Sequence, residues 1–257
     1  MPLAELSLPL ILLTSIAVLI ASSEIGRRYG ETARRDGRES VATVQSSVLG
    51  LLALMIGFTF ALALSRFEAR REAVLNEANA IGTTALRARL LPPPHNAESL
   101  KLLKEYVRIR LDVTQVHSSK ADYKVAIDRS NTIQEALWVQ GMVVAHKDPG
   151  LVPTGLFIQS LNDMIDDQET RLTAAASSIP TVVLLALYSV TIIAAAFMGY
   201  AAGLEDVHSR VPIYTMVTLF ATVLVLIQDL DRPRAGFIMV SQQPIQDVAA
   251  TLETFPH

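Results

Sequence analysis

The sequence alternates between long apolar stretches and polar stretches, and the apolar ones are long enough to cross a membrane. Residues 41–64 and 179–202 each form a stretch of 24 residues without a charged side chain. A helix needs about 20 apolar residues to cross a bilayer, where every backbone polar group must be bonded within the segment. Two shorter uncharged stretches, 6–21 and 211–227, reach about 18 residues when neighbouring polar residues are included. The pattern predicts four membrane-spanning helices, over 6–23, 41–64, 179–202 and 211–228.

The first of these stretches has a second interpretation, as a cleaved secretory signal. Its end, Ala21-Ser22-Ser23, partly imitates a cleavage site after a short apolar run. The residues before the run, Met-Pro-Leu-Ala-Glu, contain no basic side chain, whereas a signal sequence begins with one. We therefore expect a retained membrane helix.

Residues 66–178 separate the second span from the third and are predicted to form a water-exposed helical domain. They contain 14 basic and 14 acidic residues, a balance typical of solvated helices. Good helix formers continue from the second span nearly to Leu91, which predicts one rod of about 50 residues ending at Pro92-Pro93-Pro94. Apolar spacing predicts further helices over about 100–117, over 125–144 and from Pro153. The predicted fold is all-α, with domains at 1–65, 66–178 and 179–228 and a polar tail at 229–257.

The arginine-rich segment that follows the first span, 24–40, is predicted to be a solvated connector between membrane helices. It holds five arginines and three glycines. If this segment is cytoplasmic, six basic residues near the spans lie inside the cell, and the opposite orientation also places six inside. The charge bias alone leaves the orientation of the protein undecided.

The composition argues against several functional classes. A net charge of -3 and the absence of any long basic run give no reason to expect a nucleic-acid partner. Without cysteine the chain has no disulfide, thiolate nucleophile or cysteine metal site. The sequence contains no phosphate-binding loop, nucleophile elbow or dinucleotide fingerprint, and no carboxylate interrupts a span. We expect neither an enzyme nor a cofactor, and no bound metal.

One cluster of carboxylates, Asp163, Asp166, Asp167 and Glu169, has helical spacing suited to a hard cation. A solvated helix face is the commoner origin of such a cluster. The histidines have no paired ligand spacing and indicate no zinc site.

The second span carries a candidate pore surface. Positions 47, 50, 51, 54, 58 and 61 share one helix face and mix small residues with bulky Leu51, Leu54 and Phe58. Around the axis of a symmetric oligomer, that face would form a hydrophobic constriction of the kind that gates by dewetting. Ordinary helix packing is the alternative. In the third span, Gly199 and Gly203 form a small-xxx-small pattern that permits close helix approach or marks the helix end.

These motifs, taken together, resemble those of a known family. The second span passes through Gly57-Phe58-Thr59-Phe60 into Ser65-Arg66-Phe67-Glu68, and the fourth span leads into Leu230-Asp231-Arg232-Pro233. These signatures, and the order of two spans, an inserted helical region and two further spans, resemble bacterial bestrophin-like membrane proteins and, more distantly, bestrophin channels. The resemblance covers essentially the whole chain.

The resemblance implies an oligomeric ion channel, pentameric and anion-conducting if it follows most bestrophins. The second span would line the pore, with Leu51, Leu54, Phe58 and Ala61 as pore and gate residues, and Arg66 would supply a charge at the pore entrance. Asp229 and Asp231 are the only tail residues that resemble the family's calcium clasp.

The resemblance also implies a location. The protein would lie in the cell inner membrane, with the helical domain and both termini cytoplasmic, and its partners would be the lipid bilayer, further copies of itself and inorganic ions. A membrane scaffold or sensor that does not conduct, and whose helical domain binds a protein partner, is the alternative function.

Overall fold

The structure, a computed structural model, describes residues 7–35, 41–112, 120–150, 152–233 and 235–255. Eight α-helices account for most of these residues, and no strand occurs among them. In chain order the helices are α1 (Leu8–Arg35), α2 (Ala42–Ala88), α3 (His95–Asp112), α4 (Lys120–Lys147), α5 (Val152–Ala176), α6 (Thr181–Leu204), α7 (Val211–Asp231) and α8 (Gln243–Glu253). The predicted all-α fold is confirmed.

Four stretches of helix are long and apolar enough to span a membrane. They lie within Leu8–Arg35, Ala42–Ala88, Val152–Leu204 and Val211–Asp231. The third stretch takes in α5 and α6, and α6 is the uncharged part from Thr181 to Leu204. The four apolar stretches predicted from the hydropathy pattern therefore lie in helices that are long and apolar enough to span a membrane.

The predicted rod is a single helix. α2 has 47 residues and ends at Ala88, four positions before Pro92. Because proline lacks the amide hydrogen that the helix ladder needs, Pro92-Pro93-Pro94 prevents a continuation.

Two segments differ from the sequence-based expectation. α1 continues to Arg35, so most of the predicted connector at 24–40 is helical, and residues 36–40 lie outside the described chain. The tail predicted as polar contains α8, whose Ile245 and Leu252 are buried. The predicted end of the helix over 100–117 also lies outside the described residues, which stop at Asp112 in that segment.

The chain divides into two compact units. The membrane unit comprises the described residues up to Arg66, from Ser178 to Arg232 and from Gly236 to Ile238. In it, α1 packs against α6 and α7 around Leu19, Ala195, Met198, Val217 and Ala221.

The helical unit contains the rest of the described chain from Phe67 to Ser177 and from Met239 onward. Here α3 packs against α4 and α8, and α4 packs against α5. Their shared core includes Ile81 of α2, Tyr106 of α3, Leu137 of α4, Phe157 of α5 and Ile245 of α8. Within this unit, one side of α2 is therefore buried in the core and the other side is exposed.

Candidate functional site

The residues predicted to line a pore lie together on one exposed side of α2 in the membrane unit. We call Leu51, Leu54, Phe58 and Ala61 the apolar stripe. Leu51 is 51% exposed, Leu54 55% and Phe58 69%, and Ala61 is exposed as well. Exposed side chains this apolar require either lipid or protein to cover them, because water is a poor solvent for them.

The buried side of α2 fixes the orientation of the stripe. Leu52, Thr59 and Ala63 are all buried and are spaced by seven and four residues, which places them on one side of a helix. The Thr59 hydroxyl donates to the Met55 carbonyl oxygen at 2.7 Å, so this polar group is bonded within its own helix. The apolar stripe occupies the opposite side.

Gly50 and Gly57 of α2 lie on the uncovered side too. A Cβ added to Gly50 or Gly57 would meet no atom of the described chain within 4 Å. Only 17% of the most apolar part of α2 is buried, against 22%, 33% and 28% for the other three spans. Within a single described chain, α2 is thus the span with the least protein around it.

Arg66, predicted as the charge at the pore entrance, lies away from the stripe. Ser65, seven residues after Phe58, is exposed on the same side of the helix as the stripe. Arg66 follows Ser65 by one residue, and each residue turns an α-helix by about 100°, so Arg66 starts from a different side of the helix. Its side chain is half-buried and its Nε has no contact with solvent. Further along α2, the charged residues Glu68, Arg71 and Glu72 are exposed.

Further along α2, a buried charge network holds this helix in the helical unit. Glu77 of α2 is fully buried; Arg110 of α3 contacts it at 2.7 Å, and Arg171 of α5 donates to its other carboxylate oxygen. The Tyr106 hydroxyl lies 2.9 Å from Glu77 Oε1 and 2.8 Å from Gln168 Oε1. Arg171 also donates to Gln242 in the C-terminal segment at 2.8 Å.

The network keeps Glu77 ionised. Burial by itself raises the pKa of this carboxyl, but the adjacent Arg110 and Arg171 guanidinium groups hold it below the ordinary value of 4.5. Burial raises the pKa of Tyr106 far above its ordinary value, so the phenol stays neutral and keeps its proton. A buried carboxylate bonded from two other helices fixes which side of α2 faces the core of this unit.

Three of the four predicted acidic residues, Asp163, Asp166 and Asp167, line an open groove of about 430 Å³ on the helical unit, formed by α2 and α5, and Glu169 lies outside it. We call this the acidic groove; it is lined by Asn76, Asn79, Thr83, Asp163, Asp166 and Asp167, with Ala80 and Ser160. Partial burial, together with the charges of Asp163, Glu77 and Asp166, raises the pKa of Asp167. Among the described residues no group of three or more acidic, histidine or cysteine side chains is arranged to hold a metal ion.

Asp229 and Asp231, the residues that resemble a calcium clasp, both accept bonds from backbone amides of the membrane unit. Asp229 is 3% exposed and accepts from Phe237 N–H at 2.9 Å and Ile238 N–H at 3.1 Å. Gly236 precedes them with φ +143, where a Cβ would lie 2.0 Å from Asp229 Oδ1. Both oxygens of Asp231 accept from Ile179 N–H, at 2.9 and 3.1 Å. A cation at either carboxylate would compete with these bonds.

Gly199 and Gly203 lie where α6 meets α1. A Cβ on Gly199 would lie 1.8 Å from the Ser23 carbonyl oxygen, and one on Gly203 2.3 Å from that of Arg27. Gly26 and Gly30 of α1 approach the α6 backbone as closely, at 2.0 and 2.1 Å. The connector predicted over 24–40 did not include a role for these two glycines in helix packing, although their spacing of four residues is a signal of close helix approach.

Comparison with known proteins gives one family and one fold. Residues 12–245 match the model of the Bestrophin-like domain. No protein with a curated description is significantly similar in sequence. The crystal structure of a bacterial Bestrophin homolog from Klebsiella pneumoniae matches with a TM-score of 0.68 at 16% identity, covering 96% of both chains. A single-residue variant of that homolog matches with a TM-score of 0.71 at 14% identity, covering 97% of this chain and 96% of the other.

Proposed function

The chain belongs to the bestrophin-like family, and from this premise we propose that it forms an oligomeric ion channel whose pore is lined by α2. Its role is transport rather than catalysis. The observation that carries the proposal is the apolar stripe, which one described chain leaves uncovered on the span with the least protein around it. Several copies of α2 around an axis would cover the stripe and enclose a pathway that a single helix cannot form.

The stripe is suited to act as a gate. A ring of Leu54 and Phe58 side chains would narrow the pathway and expel water from it, because a narrow apolar passage does not stay wetted. Ions cross such a constriction only when it widens or hydrates. Leu51 and Ala61 would line the pathway on either side of the ring.

Three finer features of the proposal rest on the family resemblance. The number of subunits would be five, the membrane would be the cell inner membrane, and the conducted ions would be anions. Asp229 and Asp231 would form the clasp only if a cation displaced the amide bonds that they accept. We propose the first three features, and the clasp only under that condition.

The helical unit and both chain ends are proposed to be cytoplasmic. In this orientation the basic residues near the end of α1 lie on the outer side of the membrane. The number of basic residues near the spans on the inner side is the same in both orientations, so it does not decide between them. A reporter fused after His257 distinguishes the two orientations. Cytoplasmic activity of the reporter supports the proposal, and periplasmic activity contradicts it.

Reconstitution tests the proposed function. The purified protein in liposomes should carry a current or ion flux that protein-free liposomes lack. If no flux appears under any ionic gradient, the channel proposal is wrong, and the scaffold or sensor function takes its place.

A further inference from the structure

The uncovered side of α1 changes from apolar to basic along the helix. Its first part is exposed at Leu10, Leu13, Ala17, Ala21 and Ile25, which are spaced by three or four residues and so lie on one side of a helix. Other sides of α1 pack against α6 and α7. The exposed apolar side is therefore suited to contact the hydrocarbon of a bilayer.

The same side continues with two arginines. Arg28 follows Ile25 by three residues and Arg35 follows Arg28 by seven, and all three are exposed. Arg28 also follows Leu8, the first residue of α1, by twenty residues, or about 30 Å along the helix axis. Because the hydrocarbon core of a bilayer is about 30 Å thick, a helix that crosses it from Leu8 reaches the lipid headgroups near Arg28.

Tyr29 supports this position of the bilayer surface. It is 69% exposed next to Arg28, and tyrosine is enriched where a bilayer meets water, because its ring is apolar and its hydroxyl is polar. The side chains of a helix lean toward its N-terminus, which for this end of α1 is the direction of the bilayer. Arg28 and Arg35 can thus extend back to the headgroups from positions at or beyond the bilayer surface.

Arg28 and Arg35 differ from the neighbouring arginines in their lack of a carboxylate partner. Within the described part of the chain, no ion pair involves either of them. A further exposed carboxylate, Glu205 at the C-terminus of α6, offsets only one of these two charges. The other described arginines at this end of the membrane unit are paired, in Arg27–Glu31, Arg34–Asp206 and Arg210–Glu24.

We propose that Arg28 and Arg35 bind the phosphate groups of anionic lipids at the surface of the bilayer. Arginine suits this role, because its planar guanidinium group donates two parallel hydrogen bonds to a phosphate. A lipid is favoured over a free phosphate, since the two arginines continue a side of α1 that is suited to lipid tails. The inference goes beyond the proposed function, because lipid binding does not depend on conduction.

Native mass spectrometry of the full-length protein in detergent tests the assignment, with phosphatidylglycerol and phosphatidylcholine of the same acyl chains as probes. The wild type should retain more phosphatidylglycerol than phosphatidylcholine. The double variant Arg28→Gln, Arg35→Gln should bind phosphatidylglycerol roughly thirtyfold more weakly, in line with the contribution of two basic residues near an anionic surface. Its binding of phosphatidylcholine should be unchanged. Arg108→Gln is the matched control, because Arg108 is an exposed arginine on α3 of the helical unit, and it should bind both lipids as the wild type does.

Each contrary result has its own meaning. Equal retention of both lipids by the wild type overturns the inference, whether or not the double variant folds, and so does unchanged phosphatidylglycerol binding by the double variant. Displacement of phosphatidylglycerol by inorganic phosphate, but not by chloride at the same ionic strength, would show that the site takes a free anion. A double variant that elutes as a smaller assembly than the wild type would show that a second copy of the chain covers this side of α1 instead of lipid.

Discussion

Replacing Phe58 with alanine should increase the current through the reconstituted protein. Phe58 is the largest side chain of the apolar stripe and is 69% exposed, so a ring of this residue would be the narrowest and driest part of the pathway. Removing the aromatic ring widens and hydrates that part, which lowers the barrier to ions. We expect a rise of about tenfold, equivalent to a barrier lowered by about 1.4 kcal/mol.

Tyr29→Ala is the matched control for this variant. Tyr29 is 69% exposed, as Phe58 is, and it also belongs to the membrane unit, but it lies on α1. The control should leave the current per protein unchanged. A Phe58→Ala variant with wild-type current, or an equal rise in Tyr29→Ala, would show that the barrier lies elsewhere.

Gly199→Ala should destabilise the membrane unit severely. Its added methyl group would overlap the backbone carbonyl oxygen of Ser23, at 1.8 Å, and a helix backbone cannot move aside as a flexible side chain can. The helices α1 and α6 would have to separate along the contact where Gly26, Gly30 and Gly203 also pack. Overpacking of this kind costs about 3 kcal/mol or more in free energy of unfolding, which thermal unfolding in detergent would measure.

For Gly57→Ala, on α2, we expect no loss of stability, in contrast to Gly199→Ala. A Cβ at Gly57 meets nothing within 4 Å in the described chain, and alanine favours a helix over glycine by about 1 kcal/mol. This variant should be at least as stable as the wild type, provided that neighbouring copies leave room for a methyl group. Equal stability of Gly199→Ala and Gly57→Ala would contradict the close contact between α1 and α6.

The apolar helices could be predicted from the sequence because a bilayer requires a segment of a certain length and low polarity. Residues 41–64 and 179–202 fall within α2 and α6 almost as predicted. The helix that continues α1 to Arg35 was missed because arginines among glycines are typical of a loop. In the fold, Gly26 and Gly30 are required by the close approach of α6, and their spacing of four residues is the signal of that contact in the sequence.

Part of the candidate site could also be predicted from the sequence, because helical spacing follows a simple geometric rule. Helical spacing alone placed Leu51, Leu54, Phe58 and Ala61 on one side of α2, and the structure leaves that side exposed. Spacing could not show which side of α2 the protein covers, because burial depends on contacts with residues far away in the sequence, such as those of Glu77 with Arg110 and Arg171 within the helical unit. Those residues are far apart in the sequence, and only the folded chain brings them together. Arg66 stays the predicted charge at the pore entrance.

Single cysteines test most directly the claim that α2 lines the pore, because the natural chain contains no cysteine. Leu54→Cys is expected to conduct until a charged, membrane-impermeant thiol reagent is added, and then to lose its current. Leu13→Cys is the matched control, since Leu13 is 65% exposed on α1, and its current should persist. Block of Leu13→Cys with persistent current through Leu54→Cys would contradict a pore lined by α2.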